Sequence, residues 1–303
     1  MNAIIIVTHN ALPWIDRCLQ SCGNYPVIVV DNASTDQTVT HIQSNYSQVT
    51  ILPQVKNLGF GQGNNVGMSY ALQQGAEHVF LLNQDAYLVD NCLEVLIKKQ
   101  QQNPQFGVLS PVHLNGKGDA LDRNFGNYIS SQQVPKLISD LLLDKKEEIY
   151  EVPFVNAAGW LLSRKCLETV GGFDPIFFHY GEDDNYCQRV LYHGLKIGVL
   201  LQAFLLHDRE HREVIKPEKN SAAFFKRWER SKKMKYADIN NTEALILLEN
   251  EIKQIERTLL KLRLKLRFAT ATNLNKQLGL LQQIKVDVKE SRKLNVKKGS
   301  HYL

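Results

Sequence analysis

Short apolar runs that end in polar residues recur through the first part of the chain. Residues 3–7, 27–30, 49–52 and 77–82 are rich in β-branched and other apolar residues, and each run has the length of a buried strand. The segments between them predict helices, so strands and helices alternate. This order predicts an α/β fold with a Rossmann-like, mostly parallel central sheet flanked by helices.

The clearest of these strands contains residues 79–82, because four apolar residues in succession predict a strand that is buried on both faces. It ends abruptly in a polar segment that contains Asp85. Thr8 and Asp31 follow the first and second strands in the same way. Because the carboxyl ends of parallel strands meet at one edge, we expect these three side chains to lie where open α/β sheets bind ligands.

A glycine-rich segment at residues 57–67 follows the third strand and opens a helix. Its glycines allow backbone N–H groups to approach a phosphate or ribose at a helix start, and they are equally compatible with a tight turn alone. The spacing of Gly61, Gly63 and Gly67 is not G-x-G-x-x-G, and the segment does not follow the first strand. A nicotinamide-binding fold is therefore disfavoured.

The composition and the distribution of charge along the chain predict a domain boundary. The chain has 303 residues, of which 44% are hydrophobic, and a net charge of +5. Residues 211–303 contain 22 Lys and Arg against 10 Asp and Glu, whereas the preceding residues carry a net negative charge. This change of sign predicts a domain of residues 1–212 followed by a basic α-helical appendage of residues 213–303.

The chain also lacks the features of a secreted or membrane-spanning protein. It has no run of about 18 apolar residues, and Met1 leads into a strand without a basic segment or cleavage site. Its five cysteines are scattered, odd in number and without the spacing of a zinc site. We therefore expect a soluble, cytoplasmic protein whose cysteines are packing residues.

Three consecutive acidic residues, Glu182, Asp183 and Asp184, follow an aromatic segment and a glycine. Adjacent carboxylates repel one another, and this repulsion raises their pKa values towards the range of a general base. The same residues suit the N-terminus of a helix, where the helix dipole favours negative charge. The two interpretations are compatible.

The chain resembles family 2 glycosyltransferases through five motifs in the same order, IIIVTHN, VIVVDNASTD, NLGFGQGNN, VFLLNQDA and GGFDPIFFHYGEDDNYC. The similarity covers residues 3–210 and is greatest to the branch that includes rhamnosyltransferases. It implies the GT-A fold and an inverting transfer of a sugar from a dTDP-, UDP- or GDP-sugar. The implied acceptor is a hydroxyl group of a growing cell-surface glycan or of a lipid-linked molecule at the inner face of the membrane.

The resemblance assigns nucleotide binding to the first strand ends. The residues expected to bind the nucleotide are Thr8, His9, Asn10, Asp31, Asn57, Gly59 and Asn83. Asp31 would accept a hydrogen bond from the base, although an aspartate at a strand end also forms Asx-turns without a ligand. The family often has tyrosine where this chain has His9.

For a divalent cation, Mg²⁺ or Mn²⁺, the resemblance implies Asp85 and His207 as ligands. The family motif is usually Asp-x-Asp, and Asn83 stands at its first position, so the site has one carboxylate fewer. His207 ends the apolar run of residues 195–206. An imidazole that merely ends a strand is the alternative interpretation.

By the same resemblance, Asp183 is the general base and Glu182 is its neighbour. They match the first two positions of the family's Glu-Asp-x-Asp motif, whereas Asn185 replaces its second aspartate. The residues implied to line the sugar or acceptor pocket are Gly159, Trp160 and Asp184. Trp160 would stack on a sugar ring, and a position in the hydrophobic core is the alternative.

The basic region contains two further patterns. Residues 222–236 are amphipathic and cationic, so they either bind an anionic membrane surface through their aromatic side chains or pack on the catalytic domain. Apolar residues within 245–288 repeat every three or four positions, which predicts a helical hairpin or, the favoured interpretation, self-association through a seam between subunits. No nucleic-acid-reading motif accompanies the charge, so no nucleic acid partner is expected.

Two other functions remain open. A sugar-nucleotide pyrophosphorylase uses a similar sheet, but it usually has a Gly-rich loop with Arg and Lys after the first strand, where this chain has THNAL at residues 8–12. A catalytically degenerate domain that acts as a binding or scaffold module is the non-enzymatic alternative, and it would account for Asn83 and Asn185.

Overall fold

The computed structural model describes residues 1–210 and 216–303. The strands in this part of the chain are β1 (Asn2–Thr8), β2 (Val27–Asp31), β3 (Thr50–Pro53), β4 (His78–Asn83), β5 (Ala86–Leu88), β6 (Phe106–Asn115), β7 (Ile149–Glu151), β8 (Gly159–Ser163) and β9 (Lys196–His207). They form one sheet in the order β3-β2-β1-β4-β8-β6-β9-β5, and β7 pairs with β9 outside this order. The predicted domain boundary between residues 212 and 213 lies outside the described residues.

Helices cover both faces of the sheet and form the C-terminal region. The helices of the described residues are α1 (Ile15–Ser21), α2 (Thr38–Asn45), α3 (Phe60–Gln73), α4 (Cys92–Gln102), α5 (Phe125–Tyr128), α6 (Leu137–Leu142), α7 (Arg164–Val170), α8 (Glu182–Tyr192), α9 (Ala222–Ala237), α10 (Ala244–Leu264) and α11 (Phe268–Asn295). Ile5 belongs to one buried cluster, and its neighbours Ile4 and Ile6 belong to another. Successive strand residues point to opposite faces, so the sheet is covered on both sides.

The strands β3, β2, β1 and β4 are parallel to one another, as the alternation of strands and helices predicts. Thr8 pairs in register with Asp31, and Val7 pairs with Asn83. The polar residues that end these strands therefore meet at one edge of the sheet. The predicted α/β fold with a central sheet and flanking helices is confirmed.

The other half of the sheet is mixed rather than parallel. β8 runs antiparallel to both β4 and β6, and β9 is parallel to β6 but antiparallel to β5 and β7. A long connection with two short helices, residues 116–158, leads into β8 in place of a single crossover helix. Since only a crossover returns the chain in the same direction, the parallel pairs lie among the first four strands and between β6 and β9, and the other pairs are antiparallel.

The apolar repeat in the C-terminal region joins two helices of the same chain. The buried residues of this seam are Leu248, Ile252, Ile255 and Leu259 of α10 and Leu281, Ile284 and Val288 of α11. The helical hairpin, one of the two interpretations of the repeat, is therefore present, and self-association through residues 245–288 stays a prediction. The repeat requires a partner helix, and here that partner follows directly in the sequence. The hairpin buries the seam residues, whereas Leu247, Leu260 and Leu264 of α10 remain exposed.

The aromatic residues of α9 also pack inside the protein. Phe225 is buried, with Lys276 Nζ of α11 lying 4.2 Å from the centre of its ring, and Trp228 packs against the C-terminal core. Residues 222–236 therefore pack in part on the rest of the chain, which is one of the two interpretations. Because Phe224 and Trp228 are only half-buried, insertion of these aromatics into a membrane stays a prediction. None of the described helices has an apolar stretch that would reach across a bilayer.

Buried polar contacts anchor the C-terminal helices to the α/β part of the chain. Asp174 accepts hydrogen bonds from Ser291 Oγ at 2.6 Å and from Asn295 Nδ2 at 2.7 Å. Arg189 of α8 is buried and donates to the carbonyl oxygen of Gly172 at 2.6 Å. Buried charged groups need such partners, so these contacts fix α8 and α11 relative to each other.

Candidate active site

The polar ends of β1 and β2 are tied together by hydrogen bonds. Thr8 Oγ1 donates to Asp31 Oδ1 at 3.0 Å. Ser34 donates to Asp31 through its hydroxyl group at 2.5 Å and through its backbone N–H at 3.0 Å. Asp31 is therefore held by local hydrogen bonds, one of them from a backbone N–H three residues on, at the ligand-binding edge of the sheet.

The loops after β1, β2 and β4 are held against one another by His9 and Asn10. The backbone N–H of His9 donates to Gln84 Oε1 at 2.8 Å, and His9 Nδ1 lies 3.1 Å from the carbonyl oxygen of Asn32. Asn10 has a positive φ of 53°, and its Oδ1 accepts a hydrogen bond from the backbone N–H of Thr35 at 2.8 Å. Both residues thus have structural partners on neighbouring loops.

The start of the glycine-rich segment joins the same edge. Asn32 Nδ2 donates to the carbonyl oxygen of Gly59 at 2.9 Å, and Asn57 Oδ1 accepts from the backbone N–H of Gly59 at 2.8 Å. Asn83 ends β4, and its buried Oδ1 has no hydrogen-bond partner among the described residues. The structure therefore brings together all the residues for which the sequence predicts nucleotide binding.

The later glycines of this segment pack against the sheet and do not form a phosphate cradle. Gly61, Gly63 and Gly67 are buried residues of α3. A methyl group at Gly67 would lie 2.5 Å from Ile5 Cγ2. The absence of side chains at these positions lets α3 approach β1 closely, which corrects the expectation that they admit a ligand.

The backbone conformation and close surroundings of Gly59 require a glycine, and Gly75 of the same chain provides a comparison. The φ of Gly59 is 82°, and a methyl group there would lie 1.9 Å from the carbonyl oxygen of Phe178. Gly75 has nearly the same φ, 80°, but open space around it. We expect Gly75→Ala to lower the free energy of unfolding by about 1–2 kcal/mol, and Gly59→Ala to lower it by at least about 3 kcal/mol. Urea unfolding measures both, and equal losses would contradict the contact with Phe178.

Asp85 and His207 are brought together because Ala86 of β5 pairs with His207 of β9. Both side chains are almost wholly buried, and Asp85 Oδ1 lies 3.7 Å from His207 Nε2. This distance is too long for a hydrogen bond, but it suits two ligands that each bond one cation at about 2.0–2.2 Å. The predicted pair therefore fits a divalent cation. Across the described residues, no group of three or more His, Cys, Asp or Glu side chains forms a metal-binding cluster.

Two residues that the sequence did not suggest, Asp122 and Arg209, lie next to His207. Together with Asp85 and His207 they form a group that we call the His207 cluster. His207 Nδ1 lies 3.5 Å from Asp122 Oδ2, and Asp122 accepts hydrogen bonds from Arg209 at 2.5 and 2.7 Å. Burial alone would raise the pKa of Asp122, but the hydrogen bonds and charge of Arg209 outweigh it and hold that pKa below its ordinary value. The ionised Asp122 carboxylate thus lies next to the Nδ1 side of the imidazole, and Asp85 lies next to its Nε2 side.

The three acidic residues form the first turn of α8, directly after Gly181, whose φ is 90°. Burial, followed by the charge of Asp183, raises the pKa of Glu182 from its ordinary value near 4.5 to about 7. The same two causes raise the pKa of Asp184 to about 7, and burial raises the pKa of Asp183. The site thus has both the helix N-terminus and the raised pKa values that the sequence predicts.

The raised pKa of Glu182 predicts a pH-dependent cost in stability. The folded state holds this proton up to about pH 7, whereas the unfolded chain releases it near pH 4.5, so stability falls as the pH rises between these values. We expect Glu182→Gln to raise the free energy of unfolding by on the order of 1–3 kcal/mol at about pH 8 and to have little effect below about pH 4.5. Denaturant titrations at both pH values measure this difference. Glu256→Gln, at an exposed position of α10, is the control, and the same pH dependence there would contradict the assignment.

Tyr128 links the acidic turn to the His207 cluster. Burial raises the pKa of its hydroxyl group, and the charges that act on it include Asp183, Arg209 and Asp122. Tyr128 is half-buried, and nothing in its sequence surroundings distinguishes it from a core tyrosine. Charges from the acidic turn and from the Asp122–Arg209 pair therefore both act on this hydroxyl group, although they are far apart in the sequence.

Gly159 and Trp160 belong to the core, so their predicted place in a sugar pocket is corrected. Trp160 is fully buried and stacks on Phe173 with 6.0 Å between ring centroids. A methyl group at Gly159 would lie 2.9 Å from Leu205 Cδ2. Both residues lie on β8 in the middle of the sheet, where neighbouring elements cover both faces.

Asn185, which replaces an aspartate of the family motif, has a partner in the same helix. Its side chain is buried, and its Oδ1 accepts a hydrogen bond from Arg189 Nε at 3.1 Å. The amide therefore helps to hold the buried guanidinium group that anchors α8. Asp184, the remaining residue predicted for the pocket, is half-buried in the first turn of α8.

An open cleft of about 1300 Å³ lies beside these residues. Asp122 and Arg209 line it on the side of the His207 cluster, Phe178 and Tyr180 line it just before α8, and α9 forms a further wall. Small-molecule sites usually have volumes of about 300–1,000 Å³. This cleft therefore has room for more than one small ligand.

Two proteins with assigned activities are similar to the chain over most of its length. It is 25% identical over 256 residues to the N-acetylglucosaminyl-diphospho-decaprenol L-rhamnosyltransferase of Mycobacterium tuberculosis, a match that covers 74% of this chain and 81% of that protein. It is 23% identical over 186 residues to the dTDP-rhamnosyl transferase RfbF of Shigella flexneri, which covers 61% and 60% of the two chains.

A solved structure and a family model agree with these relatives. The mannosyltransferase PcManGT from Pyrobaculum calidifontis, determined in complex with GDP-Man and Mn²⁺, superimposes with a TM-score of 0.53 at 16% identity and covers 97% of this chain and 87% of its own. The predicted GT-A fold is thus confirmed. The model of the family described as glycosyl transferase family 2 matches residues 3–171. Because this match includes more than half of the chain, the protein belongs to glycosyl transferase family 2.

Proposed function

We propose that this protein is an inverting hexosyltransferase that uses a nucleotide-diphosphate sugar, with Asp183 as its general base. The donor would be a dTDP-, UDP- or GDP-sugar, and the similarity to two rhamnosyltransferases favours a rhamnosyl donor. The acceptor would be a hydroxyl group of a growing cell-surface glycan or of a lipid-linked sugar, such as the N-acetylglucosaminyl group in the name of the mycobacterial relative. With such an acceptor, the enzyme would act in the cytoplasm at the inner face of the membrane.

In this proposal the acidic turn of α8 supplies the base. Asp183 removes the proton from the acceptor hydroxyl group, and the oxygen attacks the anomeric carbon from the face opposite the diphosphate. The bond from the anomeric carbon to the diphosphate oxygen breaks, the electron pair stays on that oxygen, and the configuration inverts. The raised pKa of Asp183 suits this role, because a base is most effective when its pKa lies near the working pH.

Asp85 and His207 would hold Mg²⁺ or Mn²⁺. The support is the 3.7 Å distance between Asp85 Oδ1 and His207 Nε2, together with the Asp122 carboxylate 3.5 Å from His207 Nδ1. When bound, such a cation stabilises the negative charge on the leaving diphosphate. Asn83 lies beside them at the end of β4.

The nucleotide would occupy the edge formed by the ends of β1, β2 and β4. Asp31 has carboxylate lone pairs beyond those used by Thr8 and Ser34, so it retains the capacity to accept a hydrogen bond from a base N–H. His9, Asn10, Asn57 and Gly59 would shape the remainder of the nucleotide site.

The observation that carries this proposal is the shared environment of Tyr128, on which Asp183 and Asp122 both act. Charges of the proposed base and of the carboxylate beside His207 thus act on one hydroxyl group, which supports a single site. The test is a panel of dTDP-, UDP- and GDP-sugars with Mg²⁺ or Mn²⁺, followed by thermal shift and by release of the nucleoside diphosphate. We expect one donor to raise the melting temperature by mass action and to be turned over. Absence of both effects with every donor would contradict the proposal.

A further inference from the structure

The cleft beside Tyr180 carries an excess of positive charge. Six Lys or Arg side chains line it, against three Asp or Glu side chains. The four basic residues that α9 contributes are Lys226, Arg227, Arg230 and Lys233. The segment for which the sequence suggested a membrane surface therefore presents much of its charge to the cleft.

Two of these four residues already have partners in the fold. Lys233 Nζ donates to the carbonyl oxygen of Ile176 at 3.1 Å, so it holds the loop that precedes α8. The guanidinium group of Arg230 lies 4.9 Å from the centre of the Tyr180 ring. These contacts fix α9 as a wall of the cleft next to the acidic turn.

The other two residues are available to a ligand. Lys226 and Arg227 are exposed, and neither forms an ion pair with an acidic side chain of residues 1–210 or 216–303. Adjacent positions on a helix point about 100° apart, so both side chains reach the cleft from one turn. Two unpaired cations at the rim of a cleft bind a phosphate or diphosphate group well, since charge-assisted hydrogen bonds to phosphate are strong.

Apolar side chains lie in the same cleft. Phe178 is 59% exposed, Tyr180 54% and Leu121 44%, and all three line it. Exposed aromatic and aliphatic groups beside a cationic helix form an amphiphilic surface. A neutral sugar alone would use neither the charge nor this amount of apolar surface.

The position of the cleft indicates which substrate it receives. Within the described residues, the lining includes Asp122 and Arg209 of the His207 cluster but none of the residues proposed for the nucleotide. The cleft therefore extends away from the proposed nucleotide edge, and it offers space for a second substrate beside the His207 cluster.

We propose that α9 selects the acceptor, and that the acceptor carries a phosphate or diphosphate group attached to an apolar chain. Lys226 and Arg227 bind the phosphate, while Phe178 and Tyr180 contact the adjoining apolar segment. This inference rests on the proposed function, because it assigns the second substrate of the same site. It makes α9 a specificity-determining element of the cleft.

The test uses undecyl diphosphate as the probe and the full-length protein. The variant K226Q/R227Q removes both cations from exposed helix positions, and K253Q/R257Q removes the same two residue types from exposed positions of α10. Isothermal titration should give a Kd at least about tenfold higher for K226Q/R227Q than for the wild type, and an unchanged Kd for K253Q/R257Q. Equal Kd values for the two variants would overturn the proposal.

A second arm distinguishes acceptor phosphate from donor phosphate. Saturating nucleoside diphosphate with Mn²⁺ should leave the binding of undecyl diphosphate in place, whereas displacement would assign the anion site to the donor and overturn the proposal. In transfer assays, N-acetylglucosamine on an undecyl diphosphate should have a kcat/KM at least about tenfold above that of the undecyl glycoside, and K226Q/R227Q should remove this preference. A protein that turns over no donor contradicts the proposed function, whereas one that turns over donor without this preference contradicts only the role of α9.

Discussion

Replacing Asp183 with asparagine is expected to lower kcat for sugar transfer by about 10³-fold and to leave the Kd for the donor near that of the wild type. The amide keeps the size of the side chain and the hydrogen bond that Asp183 Oδ1 accepts from the backbone N–H of Asp184 at 3.0 Å. It cannot accept the proton of the acceptor hydroxyl group. Single-turnover transfer measures the chemical step, and thermal shift with donor measures binding.

Asp184→Asn is the matched comparison for this prediction, because it removes an equal charge from the next residue of the same turn. We expect a loss of less than about tenfold, since a group that only adjusts the base contributes less than the base itself. If Asp184→Asn has the larger effect, or if Asp183→Asn weakens donor binding as much as turnover, the base has been assigned to the wrong carboxylate.

Asp85→Asn should remove most of the stimulation by Mn²⁺ and lower kcat/KM by about 10²-fold or more, because metal stabilisation of a leaving diphosphate amounts to several kcal/mol. The substitution removes the carboxylate that faces His207 at 3.7 Å and conserves its volume. Titration of Mn²⁺ at fixed donor concentration measures the effect as a rise in the concentration needed for half-maximal activity.

Asp208→Asn provides the control for the metal site. Asp208 follows His207 directly, but its carboxylate accepts a hydrogen bond from the Tyr87 hydroxyl group at 3.1 Å. The Mn²⁺ titration of this variant should match that of the wild type. Equal loss of Mn²⁺ stimulation in both variants would mean that general negative charge near β9 is what matters, and it would contradict a ligand role for Asp85.

The edge of the sheet was predictable because it depends on local patterns. A buried parallel strand requires an apolar run, and the first polar residue after the run marks the carboxyl end, so Thr8, Asp31 and Asp85 could be placed together from the sequence. His207 ends a longer apolar run, but its role as a ligand was implied by the resemblance to family 2 glycosyltransferases. The raised pKa values of the acidic turn followed from three adjacent carboxylates.

The residues that sequence reasoning missed or misplaced depend on packing between distant segments. Asp122 and Tyr128 lie in the irregular connection after β6, where no periodic pattern marks a functional position. Small residues would precede Trp160 whether it lined a sugar pocket or lay in the core, so the sequence did not separate these two roles. Only the pairing of β8 inside the sheet shows that Trp160 is buried. The apolar repeat at residues 245–288 required a partner helix without indicating whether that helix belonged to the same chain.

The most direct test of the central claim is a crystal structure with Mn²⁺ and the nucleoside diphosphate that gives the largest thermal shift. The anomalous signal of manganese should lie about 2–2.5 Å from an Asp85 carboxylate oxygen and from His207 Nε2, with the nucleobase beside Asp31. A nucleotide bound instead in the groove lined by Tyr70 and Leu303, or manganese away from Asp85, would contradict the account.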